Sequence, residues 1–398
     1  MKEILFIAHR IPYPPNKGDK IRSFHILKHL SQSFRVHLGA FVDDPQDWQY
    51  EPVLKALCGE TKLLPLFAAQ AKLRSLSGLV TGEALSLPYY RNAAMSSWVD
   101  SIVRDRPLCG VLVFSSAMAQ YVEKYDSQKR VIDFVDVDSD KWLQYAEKKI
   151  WPLNWIYRRE GRRLLEYDRR MANRLDRSLF VSDDEAALFR RLAPESAEKV
   201  FAMENGVDTK YFDGTAEYVN PYPEDIEALI FTGAMDYWAN VDAVSWMAKE
   251  IFPEILRLRP RARFYIVGAR PGAEVTALGK REGVVVTGAV HDIRPYLAHS
   301  RLALAPMRIA RGVQNKVLEA LAMSKPLMAS TSAMEGINAS TLLDVKVADS
   351  TQEWIYSILG ILDNSSMPAY SQTNRSFVLE KYSWDQNLSQ LDKLWGEA

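Results

Sequence analysis

The sequence predicts an α/β protein made of two Rossmann-like, doubly wound parallel-sheet domains that face a cleft. Three observations lead there. The chain is 398 residues long, a length that accommodates about two domains. Short β-rich apolar runs alternate with longer helical patterns, the signature of strand–helix–strand units. That alternation stops at a turn and a proline-bearing connector after residue 205 and then begins again.

In the first series the expected strands are Ile4–Ala8, Arg35–Phe41, Val111–Phe114, Arg130–Val135 and Arg177–Val181, with helical segments such as Asp19–Ser31 and Met95–Arg104 between them. Asn205-Gly206-Val207-Asp208 is a turn signal, and Asn220-Pro221-Tyr222-Pro223 a connector. The second series runs through strands Ala228–Thr232, Arg263–Val267, Val284–Thr287, Leu302–Ala305 and Pro326–Ala329, with helices Val241–Arg257, Val313–Ser324 and Thr351–Leu362. The expected division is 1–210 for the first domain and 211–377 for the second, with a C-terminal helix over 378–398 packing back on the first. Ligands of doubly wound sheets bind beyond the carboxyl ends of the strands, so the expected active site is the cleft between two such ends.

Composition narrows the class. Lys+Arg and Asp+Glu are equal at 50 each, which argues against a globally basic nucleic-acid binder. The two cysteines, Cys58 and Cys109, stand far apart without metal-ligand spacing, so neither a structural zinc nor a disulfide framework is expected, and the expected compartment is the cytoplasm. The opening apolar run Ile4–Ala8 is too short for a signal-peptide core, and no run of about 18 apolar residues is present to span a bilayer.

One stretch carries the most chemistry: Arg308-Ile-Ala-Arg311-Gly312-Val-Gln314-Asn315-Lys316-Val-Leu-Glu319. It follows an apolar strand, turns at Gly312 and becomes helical, with Val313, Val317, Leu318, Leu321 and Ala322 at helical spacing. Arginines and a glycine at a helix N-terminus, with Asn315 and Lys316 in the first turn, form a seat for an anion, because free N–H groups and the helix dipole favour negative charge there. Glu319 adds a carboxylate for hydroxyls.

The loop His9–Arg22 leaves the first strand and enters a helix. Gly18 permits close backbone approach, Asp19 is a candidate N-cap, and Lys17, Lys20 and Arg22 add positive charge. A proline-stiffened surface loop is the alternative. Asp133, Asp136, Asp138 and Asp140 cluster at the end of another strand. Asp136 or Asp138 could act as a base or orient a substrate hydroxyl, or the group could simply cap the next helix. Residues 148–170 mix basic pairs with Trp151, Trp155 and Tyr157. They could lie against an anionic bilayer surface, or form a solvated helix whose aromatics pack on its own domain. His291, in a loop after a strand, could touch a ligand or be an incidental surface histidine. No catalytic Ser/His/Asp or Cys/His constellation, GxGxxG or GxxxxGK[ST] is present.

Taken together, these residues resemble the two-Rossmann-domain (GT-B) glycosyltransferases of the retaining family 4 type. The resemblance runs through the Gly18 loop, Val181-Ser182-Asp-Asp-Glu185, Asn205-Gly-Val-Asp208…Phe212, Phe231-Thr-Gly233-Ala-Met-Asp-Tyr-Trp-Ala-Asn240-Val-Asp-Ala243, Tyr265-Ile-Val-Gly268, Gly288-Ala-Val-His-Asp292, Pro306…Glu319-Ala-Leu-Ala-Met-Ser-Lys-Pro326 and Tyr382-Ser-Trp384. Asp136-Val-Asp-Ser-Asp-Lys-Trp142 and Arg308–Glu319 resemble a subgroup, the sugar transferases associated with exosortase (PEP-CTERM) exopolysaccharide loci of Gram-negative bacteria.

The resemblance implies a nucleotide-sugar donor on the second domain, a glycan or lipid-linked acceptor on the first, retention of configuration, and neither metal nor other cofactor. It implies donor contacts from Gly233, Val290, Gly312, Gln314, Asn315 and Glu319, and charge stabilisation by Arg308, Arg311 and Lys316, with Asp136 as a catalytic carboxylate. Lys17, Gly18, Asp19, Arg22 and Asp138 would face the acceptor. Glu319 matches the second glutamate of the family's E-x7-E element, whereas the first falls on Arg311. A guanidinium cannot make the carboxylate's usual donor-sugar contact, but it can grip a diphosphate or a uronic-acid carboxylate. Competing expectations are a GT-B epimerase or phosphorylase, and a catalytically silent sugar-nucleotide-binding partner in envelope assembly.

Overall fold

The computed structural model describes every residue except 127, 148, 311, 338–342, 364–370 and 396–398. Arg311, assigned above to the diphosphate, and Lys148, the first residue of the basic-aromatic stretch, therefore lie outside the described residues. The chain divides into two compact units, Met1–Glu204 with the residues from Asn387 onward, and Asn205–Gln386.

The first unit contains β1 (Glu3–Ala8), β2 (Arg35–Val42), β3 (Thr61–Pro65), β4 (Leu108–Phe114), β5 (Lys129–Val135), β6 (Arg177–Phe180) and β7 (Val200–Ala202). They form one parallel sheet in the order β3-β2-β1-β4-β5-β6-β7. The second unit contains β8 (Glu227–Thr232), β9 (Ala262–Val267), β10 (Val284–Gly288), β11 (Leu302–Ala305), β12 (Leu327–Ala329) and β13 (Val345–Val347), parallel in the order β10-β9-β8-β11-β12-β13. Each sheet thus reverses its winding once, between β1 and β4 in the first and between β8 and β11 in the second. A reversal of this kind opens a crevice at the strand ends.

Central strands read as unbroken apolar runs because helices cover both faces of the sheet. Ile4 through Ala8 are all inaccessible to solvent, as are Val111 to Val113 in β4 and Leu229 and Phe231 in β8. Strands β3, β7 and β13, which the sequence reading omitted, all lie at sheet edges. Their residues, Val200 apart, are half-buried or exposed, so they lack the apolar pattern that betrays a central strand. The helix expected over 241–257 is also divided. It runs as Trp238–Trp246, a π turn at Met247–Ile251, and Phe252–Leu258. Pro253, in the first turn of the last piece, has no N–H to continue an unbroken ladder.

The junctions of the units fall after Glu204 and Gln386, where 210 and 377 were the expected ends. Val207 N–H donates to Tyr382 O at 2.7 Å, and a Cβ on Gly206 would lie 2.6 Å from Trp384 N. Both strands of this junction accordingly sit in the second unit. The C-terminal end belongs to the first: Trp395 is buried, and its indole occupies the space a side chain at Gly110 would need, 2.0 Å from an ideal Cβ.

Arg22 receives a different role from the one expected. It is 1 % exposed, donates to Asp133 Oδ2 at 2.7 Å and Oδ1 at 3.2 Å, and donates to Met203 O at 2.7 Å. Burial pushes the Asp133 carboxyl upward, against the pull of the Arg22 charge. A guanidinium so enclosed joins the first helix (Gly18–Ser33), β5 and the segment after β7. It is a strut inside the unit and does not face an acceptor.

Candidate active site

The strand exits of the second unit converge on a small cationic site. Gly233 leaves β8, and its N–H donates to Val267 O at 3.1 Å. A Cβ at Gly268 would fall 1.7 Å from Gly233 O, and one at Gly233 would fall 2.8 Å from Asn240 Nδ2 and 3.6 Å from Lys316 Cε. Only glycines let these loops close while leaving room for Asn240 and Lys316. Asn240 is buried and donates to Ala234 O at 2.9 Å, while its Oδ1 accepts no hydrogen bond from the described residues.

Lys316 and Glu319 lie on the helix Asn315–Ala322, which follows β11. Gly312, at φ 65°, makes the turn before it, a left-handed conformation that glycine adopts without strain. Gln314 takes the extended N-cap position and donates from Nε2 to Gly312 O at 3.1 Å. The turn closes with Val317 N–H donating to Gln314 O at 2.9 Å, so the Asn315 and Lys316 amides precede the intrahelical ladder, as first-turn donors do.

Lys316 Nζ sits 3.3 Å from Gln314 Oε1 and 5.4 Å from the centre of the Phe231 ring. Surrounding protein disfavours its charge and lowers its pKa to about 8, although Glu319 opposes the shift. The same desolvation raises Glu319 to about 7, with Lys316 opposing. Two opposite charges on half-buried side chains, each only weakly compensated by the other, favour a ligand that brings a negative charge to the lysine and hydroxyls to the carboxylate.

Around the same pair, Tyr211 Oη donates to Asp292 Oδ1 at 3.3 Å, and the Arg294 guanidinium lies 4.0 Å over the Tyr211 ring. Arg294 also holds both Asp292 oxygens, and the Glu319 charge reaches Tyr211. Val290 is half-buried against the core of the unit. Tyr211, Arg294 and Asn240 were not singled out from sequence. Tyr211 and Asn240 stood inside quoted motifs, but no spacing rule marks either as facing a ligand.

Arg308 is not brought together with Lys316. Its Nε donates to Asp242 Oδ2 at 3.0 Å, its second bond reaches Asp242 Oδ1, and it lies 5.4 Å over Trp246. It lines a separate hollow of about 500 Å³ with Asp236, Trp238, Asp242, Trp246 and Lys249. A bidentate carboxylate within reach outcompetes an open position for a planar guanidinium.

At the strand ends of the first unit, several acids and bases are already paired. Asp19 is held by Arg10 and lies 3.3 Å from His9 Nε2. Despite burial, these partners push its carboxyl well below the usual range. Arg10 also reaches Asp43 at 2.9 Å, and His9 stacks on Phe114. Lys141 Nζ bridges Asp136 at 2.6 Å and Asp138 at 3.4 Å. Although the Asp138 side chain is half exposed, the protein around it raises its carboxyl, with Lys141 opposing and Asp136 reinforcing. Val135, just before, has φ 70°, a costly conformation for a β-branched residue, and this redirects the chain into Asp136. Lys17 is an N-cap without a side-chain cap bond, and Gly18 borders open space. His9, Arg10 and Lys141 were missed by the sequence reading. Among the described residues no group of three or more His, Cys, Asp or Glu side chains is placed to hold a metal ion.

Residues 227–364, which include β8 to β13 and the Lys316–Glu319 site, match the family described as glycosyl transferases group 1. The second unit thus carries a group 1 glycosyltransferase domain, and the two-sheet architecture of the chain is that of the GT-B fold. Its fold is similar to that of sucrose-phosphate synthase from Thermosynechococcus elongatus, at 14 % identity over 99 % of this chain and 98 % of that one, with a TM-score of 0.69. WaaG, a glycosyltransferase involved in lipopolysaccharide biosynthesis, is 16 % identical over 99 % of this chain and all of its own, with a TM-score of 0.68. Anabaena HepE, solved in complex with UDP and glucose, is 13 % identical over 99 % of both chains, with a TM-score of 0.66. No curated protein matches the sequence. No helix among the described residues is long and apolar enough to cross a membrane.

Proposed function

We propose that this glycosyltransferase takes a sugar from a nucleotide-sugar donor seated on its second unit and transfers it, with retention, to a glycan or lipid-linked acceptor of cell-envelope polysaccharide. The observation that carries the reading is the Lys316–Glu319 pair at the start of one helix, beside the glycine exit of β8. The UDP and glucose held by the similarly folded HepE support a nucleotide-sugar donor. The resemblance of the Asp136–Trp142 and Arg308–Glu319 stretches to the exosortase-associated sugar transferases favours an exopolysaccharide product.

As the bond between sugar and diphosphate breaks, negative charge accumulates on the leaving phosphate. The Lys316 ammonium and the first-turn amides of Asn315 and Lys316 are fixed where that charge develops, so they lower the barrier without reorganising. The incoming diphosphate keeps Lys316 protonated by replacing the solvation that burial removed. This arrangement supplies the cation itself and calls for neither a metal nor another cofactor. Glu319 accepts hydroxyls of the donor ribose. Asp136 and Asp138, tethered by Lys141, orient the acceptor, together with Lys17, Gly18 and Asp19. The reaction takes place at the cytoplasmic face of the inner membrane, with residues 148–170 in peripheral contact with it.

A thermal-shift screen against UDP-, GDP-, ADP- and dTDP-sugars tests the donor, since a ligand of the native state raises its melting temperature. One nucleotide should stand out, and its sugar should be released slowly as the retained anomer, visible by NMR before mutarotation. A shift without any turnover in the presence of acceptor extract would leave only a silent binder.

A further inference from the structure

Most of the exposed large apolar side chains of the first unit are gathered in two segments. Ile150 and Trp151 are 84 % and 78 % exposed, and Leu153 and Trp155 follow at the start of the helix Leu153–Arg174. Leu73, Leu76, Leu79 and Val80, the last 91 % exposed, come from two short helices, Ala68–Ser75 and Ser77–Thr81. Sequence places about seventy residues between the segments, but the structure ties them together. Arg159 donates to Gly78 O at 2.5 Å and to Glu83 O at 3.0 Å, and Glu160 accepts from the Leu85 and Ser86 amides. Trp155 lies one helical turn before Arg159 on the same face, and Arg159 holds the turn that carries Leu79 and Val80 through Gly78 O.

These groups are not spare core. Tyr157, on the same helix, packs on Trp142 at 5.1 Å, so the aromatics with an internal partner are distinguishable from Trp151 and Trp155. The charge around the patch is predominantly basic, and the acids Glu83 and Glu166 are paired with Arg91 and Arg163. Residues 66–82 contain Lys72 and Arg74 and no acid. Between Lys149 and Arg174 there are eight basic residues and three acids, of which Glu160 and Asp168 are buried. Lys72, Lys149, Arg158 and Arg162 are exposed and have no acidic partner among the described residues.

We infer that the two segments form one composite platform that docks on an anionic lipid bilayer. Val80, Leu79, Trp151 and Trp155 enter the headgroup–acyl boundary, and Lys72, Lys149, Arg158 and Arg162 meet lipid phosphates. Exposed apolar and indole side chains gain by leaving water, and each cation near an anionic surface adds to the attraction. A second protein with a complementary acidic groove would cover the apolar groups equally well, but protruding tryptophans ringed by unpaired cations fit the graded polarity of a lipid interface better. The inference rests on the membrane contact proposed above for residues 148–170, and adds to it residues 68–81 and their joint geometry.

The test is sedimentation of the full chain with mixed phosphatidylglycerol–phosphatidylcholine vesicles and with phosphatidylcholine alone, alongside donor hydrolysis in solution. The wild type should bind the mixed vesicles, more weakly as salt rises, and bind neutral vesicles poorly. Val80→Asp and Trp151→Ser should each weaken vesicle binding about tenfold and leave donor hydrolysis and melting temperature unchanged. Wild-type binding by Val80→Asp would overturn the composite platform, and equal affinity for neutral vesicles would overturn its electrostatic half. Absence of vesicle binding combined with a dimer that Val80→Asp dissociates would show that a second copy covers the patch instead. Vesicle binding without any donor hydrolysis would count against the glycosyltransferase reading and leave the platform standing.

Discussion

The two units share one winding, with a single reversal at the centre of each sheet, yet they finish their strand ends in opposite electrostatic conditions. In the first, charges meet charges: Asp19 with Arg10, Asp136 with Lys141, Arg22 with Asp133. In the second, Lys316 and Glu319 are left poorly compensated, and burial moves each toward its neutral form. The same topology can therefore be closed internally, giving a preorganised polar surface, or left electrostatically open, giving a site that a charged ligand completes. The difference comes from the residues after the strands, since the strands themselves are comparable apolar runs.

The contrast can be broken from either side. The largest expected effect is on stability in the first unit. Arg22→Met leaves Asp133 buried and unpaired and should lower unfolding free energy by about 3–5 kcal/mol, measured by urea denaturation. Retained wild-type stability would mean that the pair is not the strut described. In the second unit, Lys316→Ala should cut donor turnover by roughly two to three orders of magnitude and change melting temperature little. Arg308→Ala, which loses an exposed pair with Asp242, should cost less than about tenfold in turnover. If the two variants lost turnover equally, Arg308 would have to swing from Asp242 into the donor site.

The pH dependence sharpens the same point. Glu319 binds its proton up to about 7 in the folded chain and only to its ordinary 4.5 when unfolded. The folded state then holds the extra proton, so this group's contribution to stability falls as pH rises from 4.5 to 7. Lys316 is lowered from 10.5 to about 8. There the unfolded state holds the extra proton, and the contribution rises from pH 8 to 10.5. The pair should thus make the ligand-free protein least stable between about pH 7 and 8, where both groups are charged, and donor should stabilise it most there. Glu319→Gln should abolish its share of the decline below pH 7, as read from melting curves across that range. A smaller effect still is expected at Gly233→Ala. Its methyl meets Asn240 Nδ2 at 2.8 Å, and donor affinity should weaken several-fold, checked by titration calorimetry.

Much of this architecture is legible in the sequence because a central parallel strand must be apolar on both faces. Ile4–Ala8 and Leu302–Ala305 have no other stable use. The edge strands β3, β7 and β13 escape the same reading because their residues, Val200 apart, are half-buried or exposed, whereas β10, also at an edge, keeps the apolar run Val284–Val286 that marks it. Lys316 and Glu319 are visible because an anion seat at a helix start is a local feature, complete within one turn. Arg22 is misread for the complementary reason. A cation in a loop-proximal helix looks solvent-facing until a carboxylate 111 residues later is folded against it.

By itself, then, the sequence determined the two doubly wound sheets, the turn at Gly312 and the cation–carboxylate pair that follows it, all of which depend on short-range pattern and local conformation. Only the tertiary structure decided which charges are spent. It gave Arg308 to Asp242, Arg22 to Asp133 and Arg159 to Gly78 O, and left Lys316 beside Glu319 in a recess. The physical reason is that desolvation and ion pairing depend on distances across the fold, which residue spacing along the chain does not fix.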